Sequence, residues 1–134
     1  MNELHDRDLL DPLLGPWFKG YPHAARPMRR SELAAQRWNV WAGDLPLPLA
    51  AVKVPQLRDN LRWMQGYVDG QGLVFAPHGK TTMSPQLFQL QLQQGAWGLT
   101  VSTIQQLRMA VQSGVRRALI ANQVLQATDL QELA

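Results

Sequence analysis

The chain has 134 residues, no cysteine and a formal net charge of +3, which excludes disulfides and thiolate metal sites within it. An apolar share of 46% suits a globular core, whereas a charged share of 17% is low for a free surface and predicts that part of it is covered. The basic pairs Arg29-Arg30 and Arg116-Arg117 are not interleaved with aromatics, which argues against nucleic-acid binding.

The opening "MNELHDRDLLDPLLG" has neither a basic leader nor an apolar run of signal-peptide length, and no stretch approaches the roughly 18 apolar residues of a membrane span. A soluble cytoplasmic protein is the expectation. Residues 1 to 44 read as an irregular extension, broken by Pro12, Pro16, Pro22 and Pro27 and anchored by Trp17, Trp38 and Trp41.

After "GDLPLP" short apolar runs alternate with amphipathic segments. Leu49 to Val54 is predicted as a first strand, with Pro55 opening a helix whose apolar face is Leu57, Leu61, Met64 and Val68 and whose end is near Gly70. Leu73 to Ala76 is predicted as a short buried strand. Ser84-Pro85 is an N-cap and first-turn pair opening a helix with Leu87 and Leu90, which runs to Gly95. Gly98 to Val101 is a third strand. Thr103-x-x-Gln106 caps a helix with the stripe Ile104, Leu107, Val111, ending at Gly114. Ala118 to Ala121 is a fourth strand, and Thr128-x-x-Gln131 offers a cap for a last helix.

Strand starts about 20 to 25 residues apart are the repeat of βα units, so the predicted class is α/β with a parallel sheet covered by helices. A doubly wound sheet and the first half of a (β/α)₈ TIM barrel both fit; no G-x-G-x-x-G follows any strand, which lowers the dinucleotide-binding version of the former. A full barrel takes about 250 residues, so residues 45–134 would hold its first four strands and three to four helices, with the fourth strand left as an apolar edge.

The stretch "VFAPHGKTTMSP" carries Gly79-Lys80-Thr81, yet the glycine that a phosphate loop needs five positions earlier is Val74. Lys80 instead follows the second predicted strand, at the end where α/β folds bind ligands. In continued extended conformation His78 and Lys80 share a side. A lysine shielded by apolar neighbours beside a histidine is favoured as a neutral amine able to attack a carbonyl. The structural alternatives are a lysine that snorkels to solvent, a packing or capping role for His78, and capping by Thr81, Thr82 and Ser84. Trp97 reads as a core or interface anchor.

The blocks "PHGKT", "GAWGLTVST" and "ALIANQ" within residues 45–126 resemble the N-terminal barrel segment of the D-serine deaminase and D-threonine aldolase-like family, with its bacterial amino acid deaminase branch nearest. That family has the alanine-racemase fold, a barrel with a second β domain. The resemblance implies that Lys80 holds pyridoxal 5'-phosphate as a Schiff base, with His78 beside the cofactor. It implies a lyase that turns a small D-amino acid into a 2-oxo acid and ammonia, with aldol cleavage as the sister outcome. A non-catalytic cofactor-binding or interaction protein is the alternative from another class. Where family members often read "KTHK", this chain has Lys80-Thr81-Thr82-Met83, so no role passes to a second histidine. The resemblance also implies a homodimer for the full-length form, and it allows a divalent metal in the C-terminal region of such enzymes; no ligand for one is identifiable here. Neither nucleic acid nor membrane is an expected partner. The phosphate-anchoring loops of the later strands and the second β domain are not among these residues, so the chain is expected to be a fragment that is inactive alone.

Overall fold

The structure, a computed structural model, describes residues 6–134, with side chains from residue 8 onward. The chain divides into two compact units, one ending at Lys53 and the other beginning at Val54.

The first unit is built from short pieces, as its prolines require. Helix α1 (Asp6–Leu10) leads to strand β1 (Leu13–Leu14), which pairs antiparallel with β2 (Met28–Arg29). Two 3₁₀ helices follow, Arg30–Gln36 and Val40–Ala42. Arg29 holds the turn together: its guanidinium donates to Asp8 at 2.6 Å and to the Asp11 carbonyl at 3.0 Å. Tyr21 and Met28 are buried, and Trp38 packs edge-on against Tyr21 with ring centroids 5.4 Å apart. Of the three predicted tryptophan anchors only Trp38 works in this way. Trp41 is 94% exposed, standing on a 3₁₀ helix with no buried residue, and Trp17 lies exposed over Gly15.

The predicted strand Leu49 to Val54 is not formed. Residues 49–53 have no regular structure, because Leu49 packs near Gly20 in the first unit instead of finding a parallel partner, and helix α2 (Val54–Gly70) begins where the strand should end.

The second unit carries the α/β pattern. Helix α3 (Pro85–Gln93) precedes strand β3 (Leu99–Val101), helix α4 (Ile104–Gln112) precedes strand β4 (Ala118–Ile120), and α5 (Ala127–Glu132) follows. Strands β3 and β4 run parallel in the register Leu99↔Ala118, Thr100↔Leu119, Val101↔Ile120. On the other side of β3 an extended segment joins by an isolated parallel bridge, His78↔Thr100. The result is a mixed α/β arrangement with three parallel extended segments in sequential order, which among the described residues of this unit is open at both edges and not closed into a barrel.

The second predicted strand therefore exists as a bridge at His78, with Trp97 N donating to the Phe75 carbonyl at 2.8 Å, and not as a buried strand over Leu73 to Ala76. Leu73 and Val74 are 60% and 75% exposed, since no neighbouring strand lies on their outer side among the described residues. The last cap is also shifted: Gln126, not Thr128, is the N-cap of α5, and no side chain closes it.

The core gathers Phe88, Leu99, Val101, Ala110 and Val115, with Leu107 and Ile120 packed against it. Leu99 and Val101 face the helices because strand side chains alternate. Phe88 is the buried side chain of α3, whereas Leu87 and Leu90 are only half buried. In α4 the buried side chains are Ile104 and Ala110, while Val111 points to solvent. Two predicted caps are in place, with Leu87 N donating to Ser84 Oγ at 3.4 Å and Gln106 N donating to Thr103 Oγ1 at 3.2 Å.

Candidate functional site

The segment leading to Lys80 is held by the backbone. Thr100 N donates to the Pro77 carbonyl and Gly79 N donates to the Thr100 carbonyl, each at 2.8 Å, which clamps His78 into the parallel bridge. Thr100 adds a side-chain bond, Oγ1 donating to the Ala76 carbonyl at 2.6 Å. Gly79 sits directly on the core: a Cβ there would lie 2.6 Å from Leu99 Cδ2 and 2.8 Å from Phe88 Cε1. Only a glycine lets the chain pass so close.

Beyond Gly79 the strand direction stops. Met83 N donates back to the Gly79 carbonyl at 3.0 Å, and Met83 takes a left-handed conformation at φ 42°. Lys80, Thr81 and Thr82 form the turn enclosed by that bond, and Ser84 then starts α3. The extended conformation expected to put His78 and Lys80 on one side thus ends before Lys80. Both side chains are exposed. No apolar shield covers the Lys80 amine among the described residues, and Lys80 takes part in no ion pair there.

Three carboxyl ends meet at this rim. The bridge and the ladder put His78, Thr100 and Leu119 on one sheet face, opposite the core. The residues just past each end are Lys80, Ser102 and Asn122. Ser102 is fixed by its amide, which donates to Gln106 Oε1 at 2.8 Å, and Asn122 Oδ1 accepts from Gln123 N at 3.0 Å. The sequence reading did not single out Thr100, Ser102 or Asn122; the available signal was one polar residue inside the apolar run "GLTV" and polar residues within two positions of the strand ends. Of the hydroxyls near Lys80, Ser84 is a cap, while Thr81 and Thr82 stand exposed in the turn. No group of three or more His, Asp or Glu side chains able to hold a metal occurs among the described residues. Trp97 is partly exposed, with the Arg117 guanidinium 5.7 Å above its ring.

No family model matches the chain. It is 32% identical over 77 residues to a D-threo-3-hydroxyaspartate dehydratase of Delftia sp. (strain HT23), a match that takes in 58% of this chain and 20% of that protein. This is homology at low identity. The fold is similar to that of D-threonine aldolase from Filomicrobium marinum, with a TM-score of 0.64 and 24% identity over 67% of this chain and 24% of the aldolase. The chain thus spans about a fifth to a quarter of the length of these two proteins.

Proposed function

We infer that this chain is the part of a pyridoxal-phosphate-dependent D-amino acid lyase that carries the cofactor lysine, Lys80. The observation that carries the reading is the placement of Lys80 in a turn at the carboxyl end of a parallel segment, held from below by Gly79 and Thr100. An exposed primary amine outside any ion pair among the described residues is accessible to an aldehyde-bearing cofactor. The names of the dehydratase and the aldolase both describe D-amino acids with a hydroxyl on Cβ, which supports a β-hydroxy D-amino acid as substrate class.

When bound, the cofactor supplies an electron sink for the substrate Cα. Lys80 would carry a proton to or from the substrate Cα as a general base or acid. His78, exposed on the sheet face two residues before it, is the second candidate for a proton-bearing or cofactor-contacting group. Gly79 keeps the lysine turn against the core, which fixes where the Lys80 backbone leaves the sheet. Loss of the β-hydroxyl as water, followed by hydrolysis of the resulting imine by a second water, would give a 2-oxo acid and ammonia, the deaminase outcome; cleavage between Cα and Cβ would be the aldolase outcome. The dehydratase similarity favours the first.

The test is the visible absorbance spectrum of the purified protein titrated with pyridoxal phosphate. A new band that saturates at one equivalent and is lost in Lys80→Ala supports the reading. An unchanged spectrum in the Lys80→Ala variant contradicts it.

A further inference from the structure

We propose that the first unit contains a second binding site, for a small amphipathic monoanion: a flat apolar body with one carboxylate. A cavity of about 500 Å³ lies within this unit, floored by Phe18, Tyr21, Trp38 and Leu49 and bordered by Lys19 and Arg37. That volume falls in the range of about 300 to 1,000 Å³ typical of small-molecule sites. Tyr21 is buried and packs edge-on against Trp38, so the floor is preformed aromatic surface.

The charge pattern names the ligand. The described acidic side chains of the unit are engaged by other partners: Asp8 with Arg29, Asp11 with Ser31, Glu32 with the Arg29 amide and Asp44 with the Asn39 amide. None of them lines the cavity. Lys19 and Arg37 make no hydrogen bond through their side chains and no ion pair among the described residues. Two cations beside an aromatic floor, with no acid among the described residues lining the cavity, are complementary to an apolar anion.

A second observation points to the same rim. Arg37 closes the 3₁₀ helix Arg30–Gln36 in a left-handed conformation at φ 54°, a position that favours glycine. The next 3₁₀ helix does use glycine there, Gly43 at φ 81°. Strain of this kind collects at functional sites. An arginine kept where glycine would be easier is explained if its guanidinium holds a ligand.

The site is tested by calorimetric titration of the full chain with 2-naphthylacetate and with its neutral counterpart 2-naphthylethanol. The proposal expects saturable binding of the carboxylate, at least about tenfold tighter than that of the alcohol. Arg37→Gly removes the cation and relieves the backbone, so it should melt no lower than the parent while binding the carboxylate about tenfold more weakly. Equal binding of acid and alcohol, undiminished binding by folded Arg37→Gly, or no binding of the carboxylate would each overturn the proposal. None of these outcomes depends on pyridoxal phosphate or on Lys80.

Discussion

The Gly79 amide donates to the Thr100 carbonyl at 2.8 Å, and this bond is the last one before the chain leaves the sheet at Lys80. Whatever Lys80 does, its position is set by that contact and by the absence of a side chain on Gly79.

Substitution of Gly79 should therefore be costly in two ways. Gly79→Ala drives a methyl into Leu99 and Phe88 and should destabilise the second unit by about 1–3 kcal/mol, as overpacking of a close-packed core does. Urea unfolding followed by tryptophan fluorescence measures the loss, and the labelling of Lys80 by pyridoxal phosphate should fall with it.

Phe88 is fully buried at the centre of the core, so Phe88→Ala should cost about 3–5 kcal/mol. That is enough to unfold a marginally stable unit, and the amide exchange of β3 should lose its protection. Retained protection across Leu99–Val101 would show that the core lies elsewhere.

Capping makes a smaller, local prediction. Thr103→Ala leaves the Gln106 amide without its partner and should cost about 1 kcal/mol, with faster exchange confined to the first turn of α4. Thr103→Ser should restore most of it.

A pH effect is expected at the end of the chain. The hydrogen bond from the Arg108 guanidinium, helped by its charge, holds the Glu132 carboxyl below its ordinary value of 4.5. A carboxyl lowered by folding stabilises the fold above that ordinary value, and the contribution is lost as the pH falls through the folded value. The contact between α4 and α5 should loosen on acidification, with amide exchange in α5 rising first. In Glu132→Gln the acid-dependent part of that rise should disappear.

Elements with a local signal were legible in the sequence. Ser84-Pro85 and Thr103-x-x-Gln106 marked two helix starts, and the apolar runs near Leu99 and Ala118 marked two strands, because capping and strand alternation are set by nearest neighbours. The missing strand at Leu49 and the exposed Val74 were not legible, since a strand exists only when a partner supplies hydrogen bonds and cover, and that partner is remote in sequence. Which side chain of α3 enters the core was not legible either: Leu87, Phe88 and Leu90 all suit a helix, and it is Phe88 that Gly79 packs against. The turn that redirects Lys80 depends on the left-handed Met83, a conformation that its residue type does not advertise. The polar rim of Ser102 and Asn122 became visible only once the register of β3 and β4 was known.

The central claim is that Lys80 is the amine that holds the cofactor. Its most direct measurement is borohydride reduction of the protein incubated with one equivalent of pyridoxal phosphate, followed by peptide mapping of the adduct in parent and Lys80→Ala chains. Label confined to the Lys80 peptide, and lost in the variant, is the predicted result. Label shared with Lys19 and Lys53 and unchanged in Lys80→Ala would contradict the account, since Lys80 would then be no more than one exposed lysine among others.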